Sequence, residues 1–107
     1  MSEERAAGGP TEEACYEALS RVVDPELGVD VVNLGLIYSL KLEGGCATVE
    51  MTMTSPGCPI ADQILFQANN ELLKVPGLER ADIQLVWSPA WTPEMMSLEA
   101  KMSLGYA

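Results

Sequence analysis

The chain's 107 residues suffice for one domain and one core but are too few for two. Sixteen acidic residues against six basic ones leave a net charge of −10, which excludes the phosphate-neutralising face of a nucleic-acid binder and a basic membrane-docking surface. With 48% hydrophobic residues, no histidine and no apolar run near the roughly 18 residues of a membrane span, Ser-His-Asp and Cys-His sets, imidazole metal sites and a spanning helix are excluded as well.

Residues 1–10 are polar, acidic and broken by Gly-Gly-Pro, so a flexible acidic tail is predicted ahead of a single domain over 11–107. The tail lacks the apolar core of a signal peptide, and a cytoplasmic protein with reduced cysteines is expected. Thr11 reads as the N-cap of a first helix, with Glu12 and Glu13 at the positive end of its dipole. Cys15, Ala18, Leu19, Val22 and Val23 recur at helical spacing as its apolar face, and Asp24-Pro25 is predicted to end it.

Next comes the loop "DPELGVDVVNLG", rich in both apolar and oxygen-bearing side chains. Two strands follow around Gly44-Gly45, a two-residue hairpin signal. The first is predicted over about 35–42 with Leu36, Tyr38, Leu40 and Leu42 on one face. The second, about 46–54, sets Ala47, Val49, Met51 and Met53 against Cys46, Thr48, Glu50, Thr52 and Thr54. A second helix is predicted over about 59–74, where Ile60, Ile64, Ala68 and Leu72 repeat every fourth residue. "ADIQLVW" alternates as a third strand. Thr92-Pro93-Glu94 then opens a last amphipathic helix running to Gly105. The expected architecture is α/β of the α+β kind: two layers in the order α-β-β-α-β-α, a small mixed sheet with helices on one face.

The stretch "MTSPGCPIADQ" carries the most chemistry. With Pro59 as the first helical residue, Cys58 occupies the N-cap, beside free N–H groups and the positive dipole end, which favour a thiolate. Gly57 and Pro56 keep the approach narrow and leave its sulfur accessible, with Pro59 as a supporting residue on the other side. Thr54 is read as a strand former whose hydroxyl lies near the thiol. Cys15 is read as a core thiol. Cys46 stands 12 positions before Cys58, and at roughly 3.3 Å per extended residue the two are too far apart to share a metal. A metal or cluster on Cys58 therefore needs ligands from a second chain or an exogenous thiol. In the loop, Asp24, Glu26 and Asp30 with Asn33 do not match calcium-loop spacing, and turn bonding by Asp24 and Asn33 is the simpler reading. Trp87 and Trp91 bracket "SPA", and Met95, Met96 and Met102 decorate the last helix. Core packing is the default there; Trp91, Met95 and Met96 also make a candidate partner surface.

Taken in order, "VDPELGVDVVNLGLIY", "VEMTMTSPGCPIADQI" and "VWSPAWTPEMMSLEAKMSLG" resemble the metal–sulfur cluster assembly domain family that includes SufT, PaaD and the eukaryotic cytosolic iron–sulfur targeting factors. The resemblance covers roughly residues 11–105. It implies the iron–sulfur cluster assembly fold, and it maps the family's reactive cysteine onto Cys58. The family's D-P-E motif falls on Asp24, Pro25 and Glu26, and its N-L-G motif on Asn33, Leu34 and Gly35. No cysteine-rich extension follows Ala107, which makes the chain SufT-like more than PaaD-like, and Ser88 and Ala90 stand where a D-P-P-W-T-P motif is common. The implied function is a non-enzymatic maturation factor. It holds or relays an iron–sulfur cluster, stably or in passing, through Cys58, as a homodimer engaging an iron–sulfur scaffold and apo-client proteins. The alternative is a metal-free adaptor that docks a scaffold to apo-proteins, maturation of a phenylacetate-type oxygenase included. A thiol-dependent enzyme would need a histidine or a resolving cysteine, and the chain has no histidine and no C-x-x-C pair.

Overall fold

A computed structural model describes residues 10–54 and 59–106. The expected acidic tail (up to residue 9) and the positions of Pro56, Gly57 and Cys58 lie outside the described residues. Helix α1 (Glu12–Leu19) is capped by Thr11, whose hydroxyl accepts from the Ala14 N–H at 3.1 Å. It ends four residues sooner than the apolar spacing predicts. The Ser20 hydroxyl donates to the Glu17 carbonyl at 2.6 Å, and Val23 leaves the helix to bridge Asp30. Val23 is therefore exposed, while Val22 remains in the core. The bridge to the following loop and the low helix propensity of two β-branched residues act together to end the helix early.

Strands β1 (Ile37–Glu43) and β2 (Cys46–Met51) form the predicted hairpin, and Gly44 and Gly45 both take the positive φ its turn needs. A bulge at Tyr38 breaks the register, so Ile37 pairs with Met51 and Ser39 with Glu50. Paired residues share a face, so Ile37, and not Tyr38 as the alternation suggests, joins Leu40 on the core side. β2 also stops sooner than predicted. Thr52 donates its N–H to the Leu36 carbonyl at 2.9 Å and is wholly buried, contrary to its expected place on the polar face.

Helix α2 (Ala61–Leu73) buries Ile64, Ala68 and Leu72, three of the four repeat positions. Its N-cap is Ile60, since the first helical bond runs from Ile64 N–H to the Ile60 carbonyl. Pro59 belongs to the preceding turn. The expectation that Cys58 caps this helix is thus overturned: the helix starts two residues later. β3 (Arg80–Leu85) adds parallel to β2, giving the order β1-β2-β3. Ala47, Val49 and Met51 of the central strand meet Cys15, Leu19, Ile64 and Leu72 of the helices in one core. This is the α+β architecture the pattern implies.

The predicted last helix is two pieces. Thr92 precedes a single 3₁₀ turn, Pro93–Met95; the chain then extends at Met96, and Ser97 caps a second helix, α3 (Leu98–Leu104), by accepting from the Ala100 N–H at 3.1 Å. The break turns Met96 inward to 4% exposure, so it is a core residue and not part of a partner surface. Met96→Ala is expected to cost about 2–4 kcal/mol. Met102→Ala, at an exposed position, is expected to stay within about 0.5 kcal/mol. Urea midpoints measure both.

Candidate functional site

Three passes of the chain are tied together at one end of the sheet, where β2 and β3 finish. The Thr52 N–H reaches the Leu36 carbonyl, and the Val86 N–H reaches the Met51 carbonyl at 2.8 Å. The Trp91 indole N–H donates to the Leu34 carbonyl at 2.7 Å, and the Tyr38 hydroxyl donates to the Pro89 carbonyl at 2.8 Å, with Met95 Sδ 3.5 Å away. The carboxyl ends of parallel strands are the customary place for a ligand in such sheets. The segment that leaves β2 here, through half-buried Thr54, carries Cys58 and returns through exposed Pro59 to the start of α2. Among the described residues the cap of α2, Ile60, makes no side-chain hydrogen bond, and Asp62 stands in the first turn at the positive end of the helix dipole.

Asp24 is buried and spends its carboxylate on its own loop: Oδ1 accepts from the Glu26 N–H at 2.8 Å and the Leu27 N–H at 3.2 Å. Pro25 and Glu26 are exposed. Asn33 is a tie as well. Its side-chain N–H and backbone N–H both donate to Asp30, while its Oδ1 accepts from the Ser97 hydroxyl at 2.7 Å. The Ser97 N–H in turn donates to the Asn33 carbonyl at 2.8 Å. Asp24 and Asn33 thus tie the loop, and Asn33 also ties the C-terminal segment to it through Ser97. Among the described residues, no group of three or more Cys, Asp or Glu side chains is placed to hold a metal.

Of the partner-surface candidates, Trp91 is half-buried and tied inward, Met95 is half-buried beneath Gly35, and Met96 is in the core. The two described cysteines are separated from this end. Cys15 is wholly buried, and burial pushes its thiol above the ordinary 9.0, with Glu12 adding to the rise. Cys46 opens β2 at the opposite end of the sheet, its Sγ 3.7 Å from the Arg80 guanidinium. Sequence reasoning missed Thr52, whose wholly buried hydroxyl has no hydrogen-bond partner among the described residues. It also missed Ser97. A Ser followed by a helix-forming run could have pointed to Ser97, but nothing in a strand-like Thr-Met-Thr pattern distinguishes Thr52.

Comparison with known proteins places these features in a family. A profile described as iron-sulfur cluster assembly protein matches residues 12–85. The Fe-S protein maturation auxiliary factor SufT of Staphylococcus aureus is 48% identical over 85 residues, covering 78% of this chain and 97% of that protein. The Fe-S protein maturation auxiliary factor YitW of Bacillus subtilis is 46% identical over 89 residues, covering 82% and 87%. A crystal structure of a domain of unknown function, DUF59, from Bacillus anthracis superimposes with a TM-score of 0.84 at 45% identity, covering 90% of this chain and 92% of that one.

Proposed function

The chain belongs to the iron–sulfur cluster assembly protein family, and from that premise we propose that it is a non-enzymatic maturation factor of the cytoplasm. Through Cys58 it holds or relays an iron–sulfur unit as cargo, or engages a scaffold or apo-client protein. The observation that carries this reading is the lacing of Leu36, Met51 and Val86 at the carboxyl ends of β2 and β3, where the segment bearing Cys58 begins and ends. A thiolate is a soft ligand suited to iron that sulfide also coordinates.

With Cys15 buried and Cys46 at the other end of β2, this chain supplies one thiol to that place. The remaining ligands come from a second copy, an exogenous thiol or the client itself. Asp24 and Asn33 serve by fixing the loop, and Thr54 and Pro59 by fixing where the cysteine segment leaves and returns. Transfer tests the reading: wild-type protein loaded with iron and sulfide without oxygen is expected to activate an apo-ferredoxin, and Cys58→Ser is expected to leave it at the protein-free level. A Cys58→Ser protein that still activates the ferredoxin would contradict the reading, and a wild type that holds no iron yet docks a scaffold to an apo-protein would make the chain a metal-free adaptor. The exposed apolar Trp87, Leu98 and Met102 favour that second reading, since such side chains suit docking to a scaffold or to an apo-protein, a phenylacetate-type oxygenase included.

A further inference from the structure

The two edges of the sheet differ in how they are guarded. β1 carries the Tyr38 bulge and an exposed Lys41, both of which discourage further strand pairing. β3 has neither. Its six residues, Arg80–Leu85, include no Pro, Gly or Lys and run in unbroken register with β2, and among the described residues nothing pairs with its outer side. Its side chains alternate cleanly: Arg80, Asp82 and Gln84 are exposed, and Ala81, Ile83 and Leu85 are half-buried. An open groove runs beside the strand, with Asn69 and Leu73 of α2 on one side and Ala81 on the other. Seven residues before Leu73, on the same helical stripe, stands Phe66, 66% exposed.

We propose that this edge pairs with a second copy of the chain, β3 against β3, antiparallel about a twofold axis at Ile83, to form one six-stranded sheet. This goes beyond the reading above and does not rest on it, since antiparallel pairing sets the carboxyl ends of the two β3 strands at opposite ends of the joined sheet. Register singles out both the axis and the occupant. Centred on Ile83, the pairing sets Ala81 against Leu85 twice, Ile83 against itself, and Asp82 against Gln84 of the second copy twice. A carboxylate thus faces an amide, the two groups that already approach to 3.4 Å within one strand. Centred on Asp82, two carboxylates would face each other. Centred on Ala81, Glu79 would oppose Ile83. Centred on Gln84, Ala81 would oppose Trp87 beyond the strand end. An axis between residues would set exposed positions against half-buried ones. This self-complementarity favours a second copy over a foreign strand, and the apolar stripe with Phe66 and Leu73 supplies surface for it to cover.

The test is sedimentation equilibrium of the full apo chain and of two variants at exposed Gln84, where either replacement leaves the core untouched. The wild type is expected to dimerise, more tightly as salt screens two chains of −10 charge. Gln84→Asp places two carboxylates opposite Asp82 and is expected to weaken the dimer about tenfold; Gln84→Lys creates two ion pairs and is expected to tighten it severalfold. An axis at Asp82 would reverse that order, because position 84 would then face Arg80. The reversed order, equal dimerisation by all three proteins, or a wild type monomeric at every concentration overturns the proposal. The measurement uses no iron, so its failure and that of the cluster reading are separate results.

Discussion

Gly35→Ala is expected to destabilise the protein by about 3–5 kcal/mol, combining the strain of an alanine at left-handed φ with an overpacked contact. Gly35 sits at φ +79°, and a Cβ there would press into the Met95 backbone, 2.8 Å from its carbonyl carbon with the carbonyl oxygen closer still. Backbone cannot rotate aside as a side-chain tip can. Gly28 is the control. Its φ is +72°, but nothing lies within 4 Å of the added carbon, so Gly28→Ala should cost only about 1 kcal/mol. Chemical denaturation compares the two. The difference matters for the site because Gly35 lies between the Leu34 carbonyl that takes the Trp91 indole and the Leu36 carbonyl that takes the Thr52 N–H. A Gly35→Ala protein as stable as Gly28→Ala would mean that the 3₁₀ turn does not rest on the N-L-G loop.

The thiols are expected to differ by orders of magnitude in their reaction with iodoacetamide. Cys15 is wholly buried with its thiol pushed up, so it reacts only when the fold opens. For a domain stable by about 5 kcal/mol, that opening slows its labelling roughly a thousandfold or more. Cys46 is half-buried and reachable without opening the fold, so it should label within minutes. On the proposed function Cys58 labels first. Peptide mapping by mass spectrometry reads all three. Labelling of Cys15 as fast as that of Cys46 would contradict the core described for α1.

Much of this fold was legible because its signals are local. The Gly44-Gly45 turn, the alternation of Ala47, Val49 and Met51, and the four-residue repeat of α2 each depend on near neighbours and agree with one another. What sequence reasoning missed was settled by partners outside each element's own pattern. Val23 leaves α1 because Asp30 bridges it, and Met96 turns inward because the Asn33 and Ser97 pair interrupts the helical run. The Tyr38 bulge moves Ile37 onto the core face, which no period-2 count can show. In the loop, turn bonding by Asp24 was readable from residue type and spacing, whereas the reach of Asn33 to a serine 64 positions on was not. The Pro59 rule for helix starts misplaced the cap by two residues, because proline opens a turn as readily as a helix.

The central claim is that Cys58 is this chain's ligand to the iron of an iron–sulfur unit. The most direct measurement is the iron and sulfide bound per chain after oxygen-free reconstitution and size separation, for the wild type, Cys58→Ser and Cys46→Ser. The account predicts binding in the wild type and in Cys46→Ser, with loss to background in Cys58→Ser. Equal binding by Cys58→Ser, or none by any of the three, would contradict it.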